Sequence, residues 1–379
     1  MVRPLDGITV VTLEQAVAAP FASRQLSDLG ARVIKIERDA GDFARAYDDK
    51  VHGEASYFVW INRNKESVVL DLKSDKGIAA LKGLISKADV FIQNLAPGAI
   101  ERLGLCSAEA LNINPQLIYV SISGYGRGGS YEQKKAYDLL VQCEAGLLSV
   151  TGTEEAPAKV GISVADIAAG MYAYSGVLSA LIQRGKTGKG DVLEISMLEA
   201  LGEWMSQPYL YAEYGGVQQP RSGAQHATIA PYGPFNTSNG TVFFGIQNER
   251  EWVKFCEVVL QDDSVATDPR FSAGVSRVQN RPALHKVINS TFSTLTNDEA
   301  LARLDEAGIA NAQLRDMRDF SAHPQLAARN RWREVELPHG DTARSLLPPV
   351  TAQSYEPAMG PIPALGADTE SVLAEFGLN

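Results

Sequence analysis

The sequence predicts an α/β protein: a large domain built on a doubly wound parallel sheet and a smaller α/β domain. Three observations carry this. The first 125 residues alternate short β-branched runs with helical patterns, which is the signature of βαβ units. A long apolar helix beginning near Ala165 is followed by a further strand. The texture then changes after about Pro208, where Tyr, Pro, Gly and Asn become dense.

In chain order, the predicted strands are Ile8 to Leu13, Val33 to Glu37, Val68 to Leu72, Val90 to Asn94 and Leu117 to Ser123. Between the first two, Phe21, Leu26 and Leu29 have helical spacing, and Gly30 stands where a helix-ending glycine belongs. Ser74 to Lys87 reads as a helix with Ser74 as N-cap. Ser163 to Ile182 has the length of a membrane span but carries an Asp near its start and is rich in small residues, so a buried helix is expected instead. Val192 to Ser196 follows as a strand. In the smaller unit, Asn239-Gly240 marks a hairpin leading into Thr241 to Ile246, and Asn248 to Leu260 and Asn297 to Ala307 read as helices. The tail, with proline-rich stretches at 346–351 and 361–366, is extended and then helical, returning to the large domain. The resulting boundaries are 1–208, 209–325 and 326–379.

Composition excludes several classes of function. With 45 acidic against 35 basic residues the formal charge is −10, which argues against a nucleic-acid partner. Cys106, Cys143 and Cys256 form no metal or redox spacing and the five histidines are scattered, so no metal site is read and a cytoplasmic, reducing location is expected. The N-terminal apolar run is broken by Glu14 and reads as a strand rather than a signal peptide.

Gly124-Tyr125-Gly126-Arg127-Gly128-Gly129 satisfies G-x-G-x-x-G after a predicted strand. It lies beyond the first βα turn and a polar loop follows it, so it reads as a flexible loop rather than a dinucleotide site. Asp166 opens the long apolar helix. Taken alone, that placement favours a helix-capping acid, though it also suits a carboxylate nucleophile kept ionised by the helix N-terminus. Arg38, Lys73, Arg102 and Lys135 are scattered cations. Arg38 and Lys73 follow strand ends, where open sheets bind ligands.

Taken together, PLDGITVV at Pro4, DLGARVIKIER at Asp28, NRNKESVVLDLK at Asn62, ADVFIQNLAPGAIERLG at Ala88, YDLLVQCEAGL at Tyr137 and ADIAAGMYAYSGVLSAL at Ala165 resemble the class III CoA-transferases. The resemblance extends from Pro4 to the C-terminal LGADTESVLAEFGL. It implies a Rossmann-like large domain, an interlocked homodimer, and CoA thioesters as substrates with no tightly bound cofactor. It also implies Asp166 as the nucleophile that forms an aspartyl-CoA thioester. By the same matching, CoA contacts fall at Val17, Ala18, Arg38, Leu70, Asp71, Leu72, Lys73, Asn94, Leu95, Ala96, Arg102, Lys135, Ala136, Tyr137 and Asp138. The sequence looks most like the short branch acting on small dicarboxylates such as succinate, itaconate or mesaconate. Arg221 and His226 are candidates for holding an acceptor's second carboxylate.

Two departures bear on specificity. The long glycine-rich loop of the formyl-CoA enzymes is reduced here to RSGAQHATIAPYGPF at Arg221, which argues against formyl-CoA and oxalate. The α-methylacyl-CoA racemases of the same fold use a His where Tyr137 stands, which disfavours proton exchange at carbon. A racemase and a non-catalytic acyl-CoA-binding protein remain the alternatives.

Overall fold

The structure is a computed structural model and describes residues 2–378. Its described residues divide into two compact units: 2–147, 160–207 and 327–378 form the first, and 148–159 with 208–326 form the second.

The first unit is built on β1 (Thr9–Leu13), β2 (Arg32–Glu37), β3 (Lys65–Val69), β4 (Val90–Gln93), β5 (Ile118–Ser123) and β6 (Asp191–Ser196), all parallel, in the order β3-β2-β1-β4-β5-β6. Helices α1 (Ala18–Asp28), α2 (Ser56–Ile61), α3 (Asp75–Lys87), α4 (Ala99–Arg102), α5 (Ser107–Ile113), α6 (Asp138–Glu144), α7 (Val164–Thr187) and α8 (Met197–Trp204) lie along the chain around these strands, and α9 (Ser206–Gly215) belongs from Pro208 onward to the second unit. Alternate strand residues serve two cores. Val10, Val33, Ile92 and Val120 meet Leu26 of α1 and the alanine-rich face of α7 (Ala165, Ala169, Ala173), while Val11, Ile34, Phe91 and Tyr119 meet Leu81 and Leu84 of α3. A sheet covered on both faces needs continuous β-branched runs, which is why these strands were readable.

Helix α3 starts at Ser74, whose hydroxyl accepts from the Gly77 amide at 3.0 Å. The third strand lies three residues earlier than its apolar pattern suggested. Lys65 and Ser67 are polar, yet both are buried and bonded to carboxylates at Glu14 and Glu37, whereas the chain turns out of the sheet at Asp71. Helix α7 is long and apolar enough to span a bilayer, but it packs on α1 so closely that a Cβ at Gly170 would lie 2.7 Å from the Ala18 carbonyl oxygen. It ends at Gly188, whose φ of +69° supplies the left-handed cap.

The second unit has a three-stranded antiparallel sheet. Strands β7 (Tyr232–Asn236) and β8 (Thr241–Gly245) form the hairpin expected around Asn239-Gly240. Helix α10 (Glu249–Lys254) continues as a π-helical turn, Phe255–Leu260, where one α-helix was expected. Helices α11 (Ser264–Thr267), α12 (Gly274–Gln279), α13 (Arg281–Phe292) and α14 (Asn297–Glu306) precede β9 (Ala310–Gln313), which pairs with β8. Phe235, Phe244, Phe255 and Phe292 stack at the centre of this core.

After α15 (Met317–Ser321) and α16 (Pro324–Ala328), the chain forms an unforeseen hairpin of β10 (Trp332–Glu336) and β11 (Thr342–Leu346). It then runs extended to α17 (Thr369–Phe376), which lies beside β3 in the first unit: Asp368 Oδ2 accepts from the Ser67 amide at 2.8 Å and Thr369 Oγ1 from the Val69 amide at 3.0 Å.

Candidate active site

Because β1 to β5 are parallel, the loops that follow them share one edge of the sheet. Val17 follows β1, Arg38 follows β2, Leu70 to Lys73 follow β3, Asn94 to Ala96 follow β4, and Lys135 to Asp138 lie in the longer connection after β5. The strand order reverses between β1 and β4, and an open sheet leaves a crevice at such a switch point. There the side chain of Asn94 spans Gln15: its Oδ1 accepts from the Gln15 amide and its Nδ2 donates to the Gln15 carbonyl, both at 2.9 Å. Asn94 therefore holds the β1 loop in place, and both ends of its amide are spent on that task. The Leu95 amide donates to Gln93 Oε1.

A buried charge cluster supports the same loop. Lys65 Nζ lies 2.6 Å from Glu14 Oε1, and Lys35 Nζ lies 2.9 Å from Asp42 Oδ2, with all four side chains sealed from solvent. Asp42 Oδ1 in turn accepts from the Ala16 amide at 3.2 Å, where the backbone has φ of +59°. Burial lowers the Lys65 ammonium pKa, against the attraction of Glu14. This cluster was not visible in the sequence, since four charges spread over 52 positions show no spacing that links them.

Asp166 occupies the first turn of α7, but a different residue caps that helix. Asp138, at the start of α6, accepts from the Ala165 amide at 2.8 Å and the Asp166 amide at 3.4 Å through Oδ1. Its Oδ2 accepts from Gln142 Nε2 at 2.7 Å. The carboxyl of Asp166 has no hydrogen-bond partner among the described residues, and burial followed by the nearby Asp138 charge pushes its pKa up to about 7. An aromatic wall stands close by. Tyr47 and Tyr57 meet edge to face at 5.6 Å, and the Tyr57 hydroxyl lies 3.5 Å from Ser163 Oγ, just before α7. Burial, with Asp42 and Asp166 adding repulsion, raises the Tyr47 phenol to about 12, so it is neutral at physiological pH. A desolvated, unengaged carboxyl beside the neutral Tyr47 phenol is a carboxyl available for covalent chemistry once ionised.

Val17 and Ala18 at the head of α1 are buried, as is Leu70. Arg38, Lys73, Arg102 and Lys135 are exposed, and Arg38 donates Nε to the Gly41 carbonyl at 2.9 Å. Lys134, beside Lys135, is taken up by Glu144 at 2.6 Å and by the Tyr131 ring. Ala136 is half-buried and Tyr137 is exposed. In the second unit, Arg221 donates Nε to the Thr153 carbonyl at 2.8 Å and Nη2 to the Glu154 carbonyl at 3.0 Å, which ties segment 148–159 to the loop before β7. His226 stacks on Tyr232 at 5.1 Å and accepts from the Thr228 amide through Nδ1. Among the described residues no cluster of three or more metal-ligating side chains occurs. The glycine loop after β5 opens no helix; its Gly126 amide donates to Ser123 Oγ.

Comparison with known proteins places this geometry in context. A family model described as CoA-transferase family III matches residues 5–369. Human succinyl-CoA:glutarate CoA-transferase is 32% identical over 380 residues, covering 99% of this chain and 86% of the relative. Acetyl-CoA:oxalate CoA-transferase of Acetobacter aceti is 34% identical over 330 residues, covering 86% of this chain and 85% of the relative. Among solved structures, a CAIB/BAIF family protein from Brucella suis superposes with a TM-score of 0.89 at 30% identity, covering 99% of this chain and all of that one. An aspartate-to-alanine mutant of the Rv3272 protein of Mycobacterium tuberculosis gives 0.87 at 28% identity, covering 98% of this chain and 99% of that one.

Proposed function

This chain belongs to CoA-transferase family III and is a CoA-transferase, and we propose that it moves CoA from a dicarboxylic acyl-CoA to a free carboxylate through Asp166. The observation that carries this reading is the division of labour at α7: Asp138 satisfies the helix terminus, leaving the Asp166 carboxyl unengaged and desolvated.

In the proposed cycle, an Asp166 oxygen attacks the thioester carbonyl, the C–S bond breaks, and a mixed anhydride and CoA thiolate result. The thiolate attacks the Asp166 acyl carbon and expels the donor acid as its carboxylate, leaving aspartyl-CoA. The acceptor carboxylate enters by the reverse sequence, so two matched exchanges replace one between two sluggish acyl groups. The exposed Arg38, Lys73, Arg102 and Lys135 suit the phosphates of CoA, since cations on flexible stems can reach a polyanion from several loops.

Small dicarboxylates such as succinate, glutarate, itaconate or mesaconate are the proposed acids. This rests on relatives named for succinyl-CoA with glutarate or mesaconate at about 30% identity. Arg221 retains Nη1 for the acceptor's distal carboxylate. A homodimer is also proposed, supported by the large apolar side chains Met171, Tyr172 and Ile182 standing exposed on α7. The cytoplasm is the proposed location, in keeping with three free cysteines.

The test is intact-protein mass after incubation with succinyl-CoA and no acceptor. Wild type should gain a CoA-sized adduct that hydroxylamine removes, and Asp166→Ala should gain none. No adduct on wild type, despite CoA binding, would reject Asp166 as nucleophile.

A further inference from the structure

Within the first unit, a cavity of about 350 Å³ opens between α1, α2 and the strand β11 with the residues after it. Its lining includes Arg24, Arg63 and Arg344 and no acidic residue, in a chain whose net charge is −10. The remainder of the lining is mostly aliphatic and includes Trp60, Leu347 and the two prolines after it.

The two inner arginines share one carboxylate. Arg24 Nη1 and Arg63 Nη2 lie 2.6 and 2.7 Å from Asp28 Oδ2, and Arg63 Nε lies 2.8 Å from Oδ1. Asn64 Nδ2 also donates to Oδ1, so Asp28 has no capacity left. Arg24 is 7% exposed, and its Nε has no partner. Two guanidiniums around one acid leave a buried excess of positive charge, an arrangement that a further anion would complete. Consistent with this, burial and the Arg63 charge depress the Arg24 guanidinium against the pull of Asp28.

We propose that this cavity binds the carboxylate of a small aliphatic acid, with Arg24 and Arg63 holding the charge and Trp60 and the Leu347 wall covering the chain. A guanidinium pair selects planar carboxylates. A cavity at the lower end of the range for small-molecule sites suits an acid of few carbons rather than a peptide. The site is separate from Asp166: Tyr174, which interacts with Arg24, lies eight residues further along α7, about 12 Å at the helical rise. The proposal therefore stands or falls independently of the transfer chemistry.

The experiment is 19F NMR of 3,3,3-trifluoropropionate titrated into the full chain without any CoA species. The variants are Arg24→Gln and, because that change also disturbs a buried ion pair, Ser345→Glu on the partly exposed rim. Saturable binding that persists in Asp166→Ala, weakens at least tenfold in both pocket variants and is absent for trifluoropropanol is the expected result. Binding unchanged in Ser345→Glu, or no saturable binding in wild type, would overturn the proposal. So would a Ser345→Glu chain that changes oligomeric state while wild type binds no probe, since the cavity would then be the seat of a second copy of the chain.

Discussion

Asp138 caps the helix that Asp166 begins: the Oδ1 of one accepts from the backbone amide of the other at 3.4 Å and from its neighbour Ala165 at 2.8 Å. The two acids thus divide between them what either could do alone. One neutralises the helix terminus, and the other keeps a carboxyl with no internal partner.

The first prediction concerns rate against pH. As the proposed nucleophile, Asp166 must be ionised to attack, and burial raises its pKa in the free protein to about 7. Plotted between about pH 5 and 9, kcat/KM for the acyl-CoA donor should rise tenfold per unit on the acid limb and level off above about 7. Asp138→Asn removes the repelling charge, so the break should move to lower pH. A break that stays in place would show that burial alone sets it.

Stability should report the same group with the opposite sign. The unfolded chain releases this proton near the ordinary aspartate value while the folded chain holds it to about 7. Between those values the folded state binds more protons, so the group costs nothing below about pH 4 and its full penalty above about 7. The ceiling is about 4 kcal/mol, roughly halved by the partial exposure of the residue. Asp166→Asn should therefore raise Tm at pH 8 and leave it nearly unchanged at pH 4.

The sealed cluster beneath the β1 loop predicts a large structural effect. Glu14→Gln removes the charge that faces Lys65 at 2.6 Å and leaves a buried ammonium without its anion. Urea denaturation should show a loss of about 3–5 kcal/mol. Replacing Glu14 and Lys65 together by Gln and Met should cost less than the sum of the single changes.

Asn94→Ala orphans the Gln15 amide and carbonyl together. A loss of about 1–3 kcal/mol is expected, with kcat falling because the β1 loop is no longer fixed. Loss of CoA affinity alone, at unchanged stability, would make Asn94 a ligand-binding residue rather than a brace.

Arg221→Ala should raise KM for a dicarboxylic acceptor more than for a monocarboxylic one of equal length. Equal increases would leave Arg221 with only its role of joining segment 148–159 to the β7 loop.

The parallel sheet was legible because most of its strands are buried on both faces and its helices carry ordinary signals, such as the Ser74 cap and Gly30 after α1. The strand at Lys65 was displaced in the reading because hydrophobicity cannot reveal that Lys65 and Ser67 are buried with carboxylates from distant segments. The same limit hid the Asp138 cap and the Asn94 brace. Each is a contact between residues 27 to 79 positions apart, and one sequence carries no signal for such pairing. The family resemblance marked Asn94 and Asp138 as site residues without distinguishing ligand contact from support.

The C-terminal segment beside β3 bears on how the chain is made. Strand β3 is an edge of the sheet, and its outward groups at Ser67 and Val69 are met by residues 366–369. During synthesis the six strands are complete some 170 residues before that cover exists, and an uncovered edge is a template for pairing with another nascent chain. Yield in a host should therefore depend on chaperone supply over that interval. Chains shortened before Asp368 should partition into inclusion bodies even though every strand and the whole candidate site are present.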